Sequence, residues 1–277
     1  MGPVTDMDLL KTKAEYYARK LQDSNPTNRE NAAKAVYDMY SDTYHALPSD
    51  KETEGFIAKK KLIDDTLLHV LLEALKGDKS EEVRRQVALA LGASERKEAI
   101  APLAAALQDE DSQVAGYAAS GLGKLGGVEE MLPHFLNLVK REGLDDNMKS
   151  GVAQGLYDLF NSKANEGEEP YYIKEKDREP LVNFLLKTVG ESGMGAMSAA
   201  MALKDAAYYI KTLKPLRELE AKAESPEVKR ALSEAISALE ERIAIRGGQG
   251  FQSGKSPSEL EGGEQGGRAV PRKRAVR

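Results

Sequence analysis

The sequence predicts an all-α protein built from stacked helical hairpins. Apolar residues recur with a helical period along most of the 277 residues, and no alternating apolar and polar run is bounded by turn residues as a strand would be. Between residues 63 and 140 the chain presents nearly the same segment twice, about 31 residues apart, a period typical of helical repeats. Four positions of the first copy return in the second: Val83, Ala88, Leu91 and Gly92 as Val114, Ala119, Leu122 and Gly123.

Each copy has the pattern of two helices joined by a short acidic turn. A hairpin of this kind cannot bury its apolar face alone, so neighbouring copies must stack to form a continuous core. Leu91 and Leu122 occupy equivalent apolar positions in consecutive second helices, and we expect both side chains to be buried. Because a solenoid grows by adding units, the length fits one elongated domain.

The segment before the two clear copies is more divergent. Residues 7–21 suit one helix, and Thr27 followed by Glu30 has the spacing of a capping box that opens a second helix over residues 28–44. We therefore interpret residues 1–46 as an atypical N-terminal capping unit.

A polar segment separates this unit from the first clear copy. Residues 46–61 are rich in charge and contain a proline, and they predict a loop. Asp64 and Asp65 would then cap a helix that begins near Thr66.

Three further copies follow the two clear ones. The third has its proline at Pro133, the fourth resumes at Pro180 after an insertion at residues 161–178, and the fifth begins at Lys214. The sequence thus predicts about five hairpins, with the clearest repeats over residues 62–160.

The predicted solenoid occupies residues 1–245, and a different composition begins after it. Residues 246–277 replace the apolar pattern with Gly, Ser, Gln and charge, so we expect a disordered, Gly-rich tail. The tail holds seven Arg or Lys against three Glu, whereas the whole chain has a formal net charge of -5. The body is therefore acidic and the tail is basic.

Acidic residues and glycines recur at matching places in the copies. Asp78, Asp109 and either Asp145 or Asp146 lie just before second helices, where a carboxylate accepts hydrogen bonds from free N–H groups, so we expect N-caps. Glycine costs about 1 kcal/mol relative to alanine inside a helix. That cost indicates close backbone approach or turns at six positions: Gly121, Gly123, Gly151, Gly155, Gly193 and Gly195.

The repeat as a whole resembles the HEAT family, and its short bacterial and archaeal HEAT-like form in particular. The resemblance lies in the acidic turn, in second helices that open with Val83-Arg84 or Val228-Lys229, and in prolines within the first helices. Those prolines are Pro102, Pro133, Pro180 and Pro215. The resemblance implies a right-handed α-α superhelix that acts as a protein-binding scaffold, and it implies no reaction.

The residues predict no catalytic site and no cofactor. Cysteine is absent, which excludes disulfides, thiolate metal sites and a cysteine nucleophile. His45, His69 and His134 are far apart, and none belongs to a His-Glu-x-x-His pattern. We therefore interpret the protein as a non-enzyme. One enzymatic alternative stays open, since some HEAT-like proteins of this length are bilin lyases or chaperones for bilin attachment.

The sequence also predicts a cytoplasmic protein without membrane insertion. The longest apolar run, residues 99–107, is far shorter than the ~20 residues that cross a bilayer. The N-terminus lacks a basic region followed by an apolar stretch, so we expect no secretory signal.

The candidate protein-binding residues lie on the predicted second helices, which usually line the concave face of such a solenoid. They are Arg84, Arg85, Gln113, Tyr117, Lys149, Gln154, Lys229 and Arg230. Arg84 with Arg85 is the sharpest pair, because a guanidinium forks to carboxylate or phosphate. If the cations formed one positive stripe, they would favour nucleic acid, whereas mixed charge would favour a protein partner.

Two further candidates lie outside the repeats. Tyr171 and Tyr172, in the acidic insertion, form a candidate exposed epitope, since tyrosine is enriched at interfaces. The basic tail ends with Arg272, Lys273, Arg274 and Arg277, which predict at most weak, salt-sensitive contact with nucleic acid. We favour a non-enzymatic scaffold with a protein partner. A nucleic-acid-associated protein that uses a basic helix face and this tail is the first alternative.

Overall fold

The computed structural model describes residues 5–44, 53–164, 173–191, 193–206 and 213–245. Within these ranges it contains twelve α-helices, one short 3-10 turn at Lys97–Ala99 and no strand, which confirms the predicted all-α class. The helices are α1 (Asp6–Lys20), α2 (Pro26–Tyr44), α3 (Glu54–Gly77), α4 (Glu81–Ala93), α5 (Ile100–Ala106), α6 (Ser112–Leu125), α7 (Val128–Val139), α8 (Asp146–Ala164), α9 (Glu175–Gly190), α10 (Ala196–Asp205), α11 (Lys214–Lys222) and α12 (Pro226–Ile245).

Consecutive helices pair into six hairpins over the described residues, from α1 with α2 to α11 with α12. Five hairpins correspond to the five copies in the sequence. The sixth is the N-terminal unit, in which α1 and α2 form a complete hairpin of their own. At the insertion, α8 continues to Ala164 and α9 starts at Glu175, so the helices extend further into this segment than the sequence suggested.

The hairpins stack in two layers. The second helices pack on one another in series, from α2 through α4, α6, α8 and α10 to α12, more extensively than the first helices do. The apolar side chains that lie between the layers form one continuous core. Leu91 and Leu122 are fully buried in it, as the repeat predicted.

Glycines of α6 and α8 bring these two second helices into close backbone contact. A methyl group placed on Gly123 would lie 2.1 Å from the carbonyl oxygen of Gly155, and one on Gly151 would lie 2.1 Å from the carbonyl oxygen of Gly116. The two backbones therefore touch directly, a distance that only glycine permits. This contact confirms the expected reason for glycine at these positions.

Two helices begin earlier than the sequence suggested. Asn25, rather than Thr27, caps α2: its side-chain oxygen accepts from the backbone N–H of Thr27 at 3.0 Å, and Thr27 itself is helical. Thr53 caps α3 through the backbone N–H of Phe56, so residues 54–61 are helical and not a loop. Their Glu, Ala and Lys residues favour a helix despite the high charge.

Asp64 is consequently not a cap but a buried residue in the middle of α3. Its carboxylate lies 3.6 Å from the ammonium of Lys60 and 3.6 Å from the guanidinium of Arg96, beside the fully buried Tyr40. Burial raises the pKa of Asp64, and the two cations act against that shift. This polar cluster joins α2, α3 and the turn after α4. Asp65 is exposed on the same helix and pairs with Lys61.

Candidate protein-binding surface

The turn aspartates are placed differently from the expected N-caps. Ser80 and Asp111 are the caps of α4 and α6; the Asp111 carboxylate accepts from the N–H of Val114 at 2.9 Å. Asp78 and Asp109 lie two residues before these caps, and each accepts the cap's N–H at 2.9 Å. Among the third-copy candidates, Asp145 is the cap of α8 and accepts from Met148 at 2.9 Å.

Asp78 and Asp109 instead receive an arginine from the preceding hairpin. Arg29 on α2 donates to both carboxylate oxygens of Asp78, at 2.6 and 2.9 Å. Arg84 on α4 donates to both oxygens of Asp109, each at 2.8 Å. Each arginine also donates to a carbonyl of its own turn: Arg29 to Asp23 at 2.9 Å and Arg84 to Asp78 at 2.8 Å. One arginine thereby joins two successive turns.

The two arginines that the sequence singled out for binding, Arg84 and Arg85, both form ion pairs within the protein. Arg84 is only 7% exposed, and its guanidinium is used within the protein. Arg85 donates to Asp111 at 2.9 and 2.8 Å and to Glu82 at 2.7 Å. The hydrogen bonds from Arg85 lower the pKa of Asp111 to about 2. The structure thus places both arginines in ties between hairpins rather than on a free surface.

The remaining candidate cations do not join them in a positive stripe. Lys149 lies 2.7 Å from Glu191, and the hydrogen bond to this glutamate raises the pKa of the lysine. Arg230 pairs with Glu234 at 3.3 Å, and Lys229 is exposed beside it on α12. Of the five candidate cations, four thus lie beside a carboxylate, namely Arg84, Arg85, Lys149 and Arg230.

An uncharged groove lies over the contact between α6 and α8. It has a volume of about 250 Å³ and is lined by uncharged side chains and backbone from α6, α8 and the turn before α10. The lining residues used below are Gln113, Tyr117, Asn147, Ser150, Gln154 and Met194. Gly116 and Gly151 form part of its floor, so the groove follows the backbone contact of the two helices.

Large apolar side chains are exposed along this groove and beyond it. Tyr117 is 37% exposed and Met194 is 66% exposed. Met197 and Met201 continue from Met194 along one face of α10, with Met197 exposed and Met201 half-buried. The groove and these three methionines together are called the uncharged surface below.

Hydrogen bonds fix the polar side chains of this surface. The hydroxyl of Ser198 on α10 donates to the side-chain oxygen of Gln154 at 2.9 Å, and the amide nitrogen of Gln154 donates to Asp158 at 3.2 Å. Asn147 donates to the hydroxyl of Ser112 at 3.2 Å. Asp158 does not line the groove, and burial raises the pKa of its carboxyl group, which accepts the hydrogen bond from Gln154. The amides are pre-oriented before any ligand arrives.

Of the eight candidates on the second helices, the structure brings three into the groove: Gln113, Tyr117 and Gln154. Sequence reasoning missed Asn147 and the methionines. The helical spacing of Met194, Met197 and Met201 was a visible signal, but it does not show whether such a face is core or surface. Tyr171, Tyr172 and the tail residues Arg272, Lys273, Arg274 and Arg277 lie outside the described residues.

Comparison with known proteins agrees with the repeat geometry. The family model for HEAT repeats matches residues 68–156. Residues 68–156 are thus similar to HEAT repeats. The matched span runs from α3 to α8. It includes the ion pairs that Arg84 and Arg85 form with the next turn, and the glycine contact beneath the groove.

A crystal structure described as that of an engineered protein, from the Northeast Structural Genomics Consortium, is similar to the chain at 16% sequence identity and a TM-score of 0.43. The similarity covers 84% of this chain and 74% of that one. No curated protein sequence matches the chain significantly. In the part of the chain that the structure describes, no helix is both long and apolar enough to span a bilayer. Within that same part, no group of three or more His, Asp or Glu is placed to hold a metal ion.

Proposed function

We propose that this HEAT-like solenoid is a non-enzymatic scaffold in the cytoplasm that binds a protein partner on its uncharged surface. One observation carries the proposal: Tyr117, Met194 and Met197 are exposed around a groove without a charged lining residue, in a chain of which 31% is charged. HEAT repeats generally serve protein interactions, which supports the same conclusion.

The chemistry of the surface suits a protein ligand. Tyrosine supplies a large contact area with a polar tip, and methionine adapts its shape to irregular partners, so both are enriched at interfaces. Gln113, Asn147 and Gln154 carry amides that can both donate to and accept from a peptide backbone. Because Ser112 holds the amide of Asn147, and Ser198 and Asp158 hold that of Gln154, these two side chains lose little entropy on binding.

The charges of the second helices favour protein over nucleic acid. Phosphate binding requires lysines and arginines that can replace the counterions of the nucleic acid. Arg84, Arg85 and Lys149 are instead paired with Asp109, Asp111 and Glu191. A nucleic acid would have to break these ties between hairpins before it could use their cations.

The test compares two surfaces of similar exposure. The double variant Tyr117→Ala with Met194→Ala removes the apolar part of the groove, and the control Tyr16→Ala with Leu9→Ala removes exposed apolar side chains of α1. Each protein is used as bait in affinity capture from the native source, with captured proteins quantified by mass spectrometry and folding checked by circular dichroism.

We expect the wild type and the control to capture the same partner and the groove variant to lose it. Equal capture by both variants would assign the partner to another surface. Retention of single-stranded RNA by a protein truncated after residue 245 would contradict the choice of protein over nucleic acid.

A further inference from the structure

A second cleft opens on the edge of the solenoid where the hairpin turns lie. It has a volume of about 650 Å³ and is formed by the end of α7 and the turn at residues 140–144 on one side and by α9 on the other. Lys149, near the start of α8, contributes to its wall. The volume is within the range of sites that hold a small ligand or a few residues of a peptide.

The cleft lies at a turn that lacks the aspartate of the earlier hairpins. Gly143 occupies the position two residues before the cap Asp145, where the earlier turns have Asp78 and Asp109. It has a φ of +72°, a conformation that glycine adopts without strain, and a side chain at this position would meet nothing within 4 Å. This turn thus has no carboxylate, and no other side chain, at the position that binds an arginine in the earlier hairpins.

Positive charge is in excess along the cleft. Its lining holds four cationic side chains against two carboxylates, a surplus of two positive charges, whereas the chain as a whole has a net charge of -5. The cations are Lys140, Arg141, Lys149 and Lys187, and the carboxylates are Glu142 and Glu191. Two of these cations already pair with a carboxylate, since that of Glu191 lies 2.7 Å from the ammonium of Lys149 and 3.7 Å from that of Lys187.

Apolar side chains complete the cleft between the charges. Val139, Leu144, Pro180 and Phe184 belong to its lining. A ligand that fits both features carries carboxylates for the lysines and an aliphatic or aromatic group for the apolar part. Nucleic acid offers regularly spaced phosphates and would gain most from a continuous row of cations, which this cleft interrupts with Glu142 and Glu191.

We propose that this cleft binds an acidic segment of a partner protein, with glutamate or aspartate side chains on Lys140 and Lys187 and one apolar side chain against Phe184. Charge complementarity supports this choice, because a positive cleft in an acidic molecule attracts acidic peptides and repels basic ones. The site uses other residues than the uncharged surface, and it stands whether or not that surface binds a partner.

The experiment measures the binding of one peptide to the full-length protein. The probe is the fluorescein-labelled hexapeptide Glu-Asp-Phe-Glu-Asp-Leu, and its neutral counterpart is Gln-Asn-Phe-Gln-Asn-Leu; both are followed by fluorescence anisotropy. The variant Lys140→Glu with Lys187→Glu reverses two exposed cations of the cleft. The control Lys13→Glu with Lys76→Glu reverses two exposed lysines elsewhere and changes the net charge by the same amount.

We expect the acidic peptide to bind the wild type and the control alike, and to bind the cleft variant at least about tenfold more weakly, because like charges then face each other. The neutral peptide should bind no better than the acidic peptide binds the cleft variant. Binding of the acidic peptide should also weaken as salt is raised.

Three results with the peptides would overturn the proposal. They are equal loss of affinity in the cleft variant and the control, equal binding of the neutral peptide, and a wild-type dissociation constant above about 1 mM for the acidic peptide. A hexauridine RNA that competes with the acidic peptide and binds more tightly would assign the cleft to nucleic acid instead. The groove variant Tyr117→Ala with Met194→Ala should keep full peptide binding, so failure of this proposal and failure of the proposed function are distinguishable.

Discussion

Arg84 and Asp109 form a two-pronged ion pair, with both N–O distances at 2.8 Å, that joins the second hairpin to the third. Arg29 and Asp78 repeat this geometry one hairpin earlier. At the next junction the donor position holds Ala115, so the pair is not continued. There the glycine contact of α6 with α8 brings the hairpins together instead. Glycines also meet at the ionic junction of α4 with α6, where a methyl group on Gly92 would lie 2.6 Å from the Cα of Gly121, so the two junctions differ in the ion pair.

Removal of the arginine from the ionic junction should be costly. In Arg84→Met the carboxylate of Asp109, which is largely buried, loses both of its hydrogen bonds from the guanidinium. We expect the free energy of unfolding in urea to fall by about 2–3 kcal/mol, because an unpaired buried charge remains. Arg84→Lys should recover only part of this loss, since an ammonium cannot fork to two oxygens.

Two comparisons check this ionic junction. Arg230→Met breaks an exposed pair within α12 and should change the stability by less than about 0.5 kcal/mol. The double variant Arg84→Met with Asp109→Asn should lose less than the sum of the two single variants, because neither change then leaves a charge unpaired. Additive losses would show that the two side chains are not energetically coupled.

Two Gly→Ala substitutions, one at the contact of α6 with α8 and one away from it, should change the stability in opposite directions. In Gly123→Ala the new methyl group meets the carbonyl oxygen of Gly155, a backbone atom that cannot move aside, so we expect a loss of about 2 kcal/mol or more. In Gly55→Ala, in the first turn of α3, nothing lies within 4 Å, and a gain of up to about 1 kcal/mol is expected because alanine restricts the unfolded chain. Urea denaturation measures both changes, and equal effects would refute the close contact.

The pair of Arg85 with Asp111 should make stability depend on pH in acid. The pKa of Asp111 is lowered in the folded protein from 3.8 to about 2, so the stabilisation is fully present above about pH 4 and is lost as the pH falls toward 2. Asp111→Asn removes the charge but keeps a side-chain oxygen for the cap of α6. The wild type should therefore be more stable than Asp111→Asn by a constant amount near neutral pH.

The measurement is urea denaturation of both proteins across this acid range. Below about pH 4 the difference between them should shrink toward zero. Other carboxylates with lowered pKa values that do not interact with Asp111, such as Asp23, weaken both proteins equally and cancel in the comparison. A difference that stays constant down to pH 2 would show that the charge of Asp111 contributes no stability.

Much of the fold is local information and could therefore be predicted. The helical period and the repeat define the hairpins, and they predicted that Leu91 and Leu122 are buried in equivalent places. Glycine inside a helix is unfavourable by itself, which is why close backbone approach at Gly123 and Gly155 was predictable. Where helices begin was less well predicted: Asn25 and Thr53 cap α2 and α3 because several nearby polar residues offered similar signals.

The candidate site needed the stacked structure. Arg84 and Asp109 are 25 residues apart in sequence, and Arg29 and Asp78 are 49 apart. No local pattern distinguishes an arginine that binds the next turn from one that is free for a partner. Tyr117 and Met194 line one groove for the same reason, because the stacking of α6, α8 and the turn before α10 brings them together.

The sequence by itself determined that this protein is a stack of helical hairpins with an apolar core, because helix period and repeat are properties of short segments. The tertiary structure alone decided which polar side chains remain available. Packing pairs Arg84 and Arg85 with carboxylates of the following turn. It leaves Tyr117, Met194, Lys140 and Lys187 exposed. Pairing and exposure depend on contacts between hairpins, and such contacts exist only once the chain has stacked.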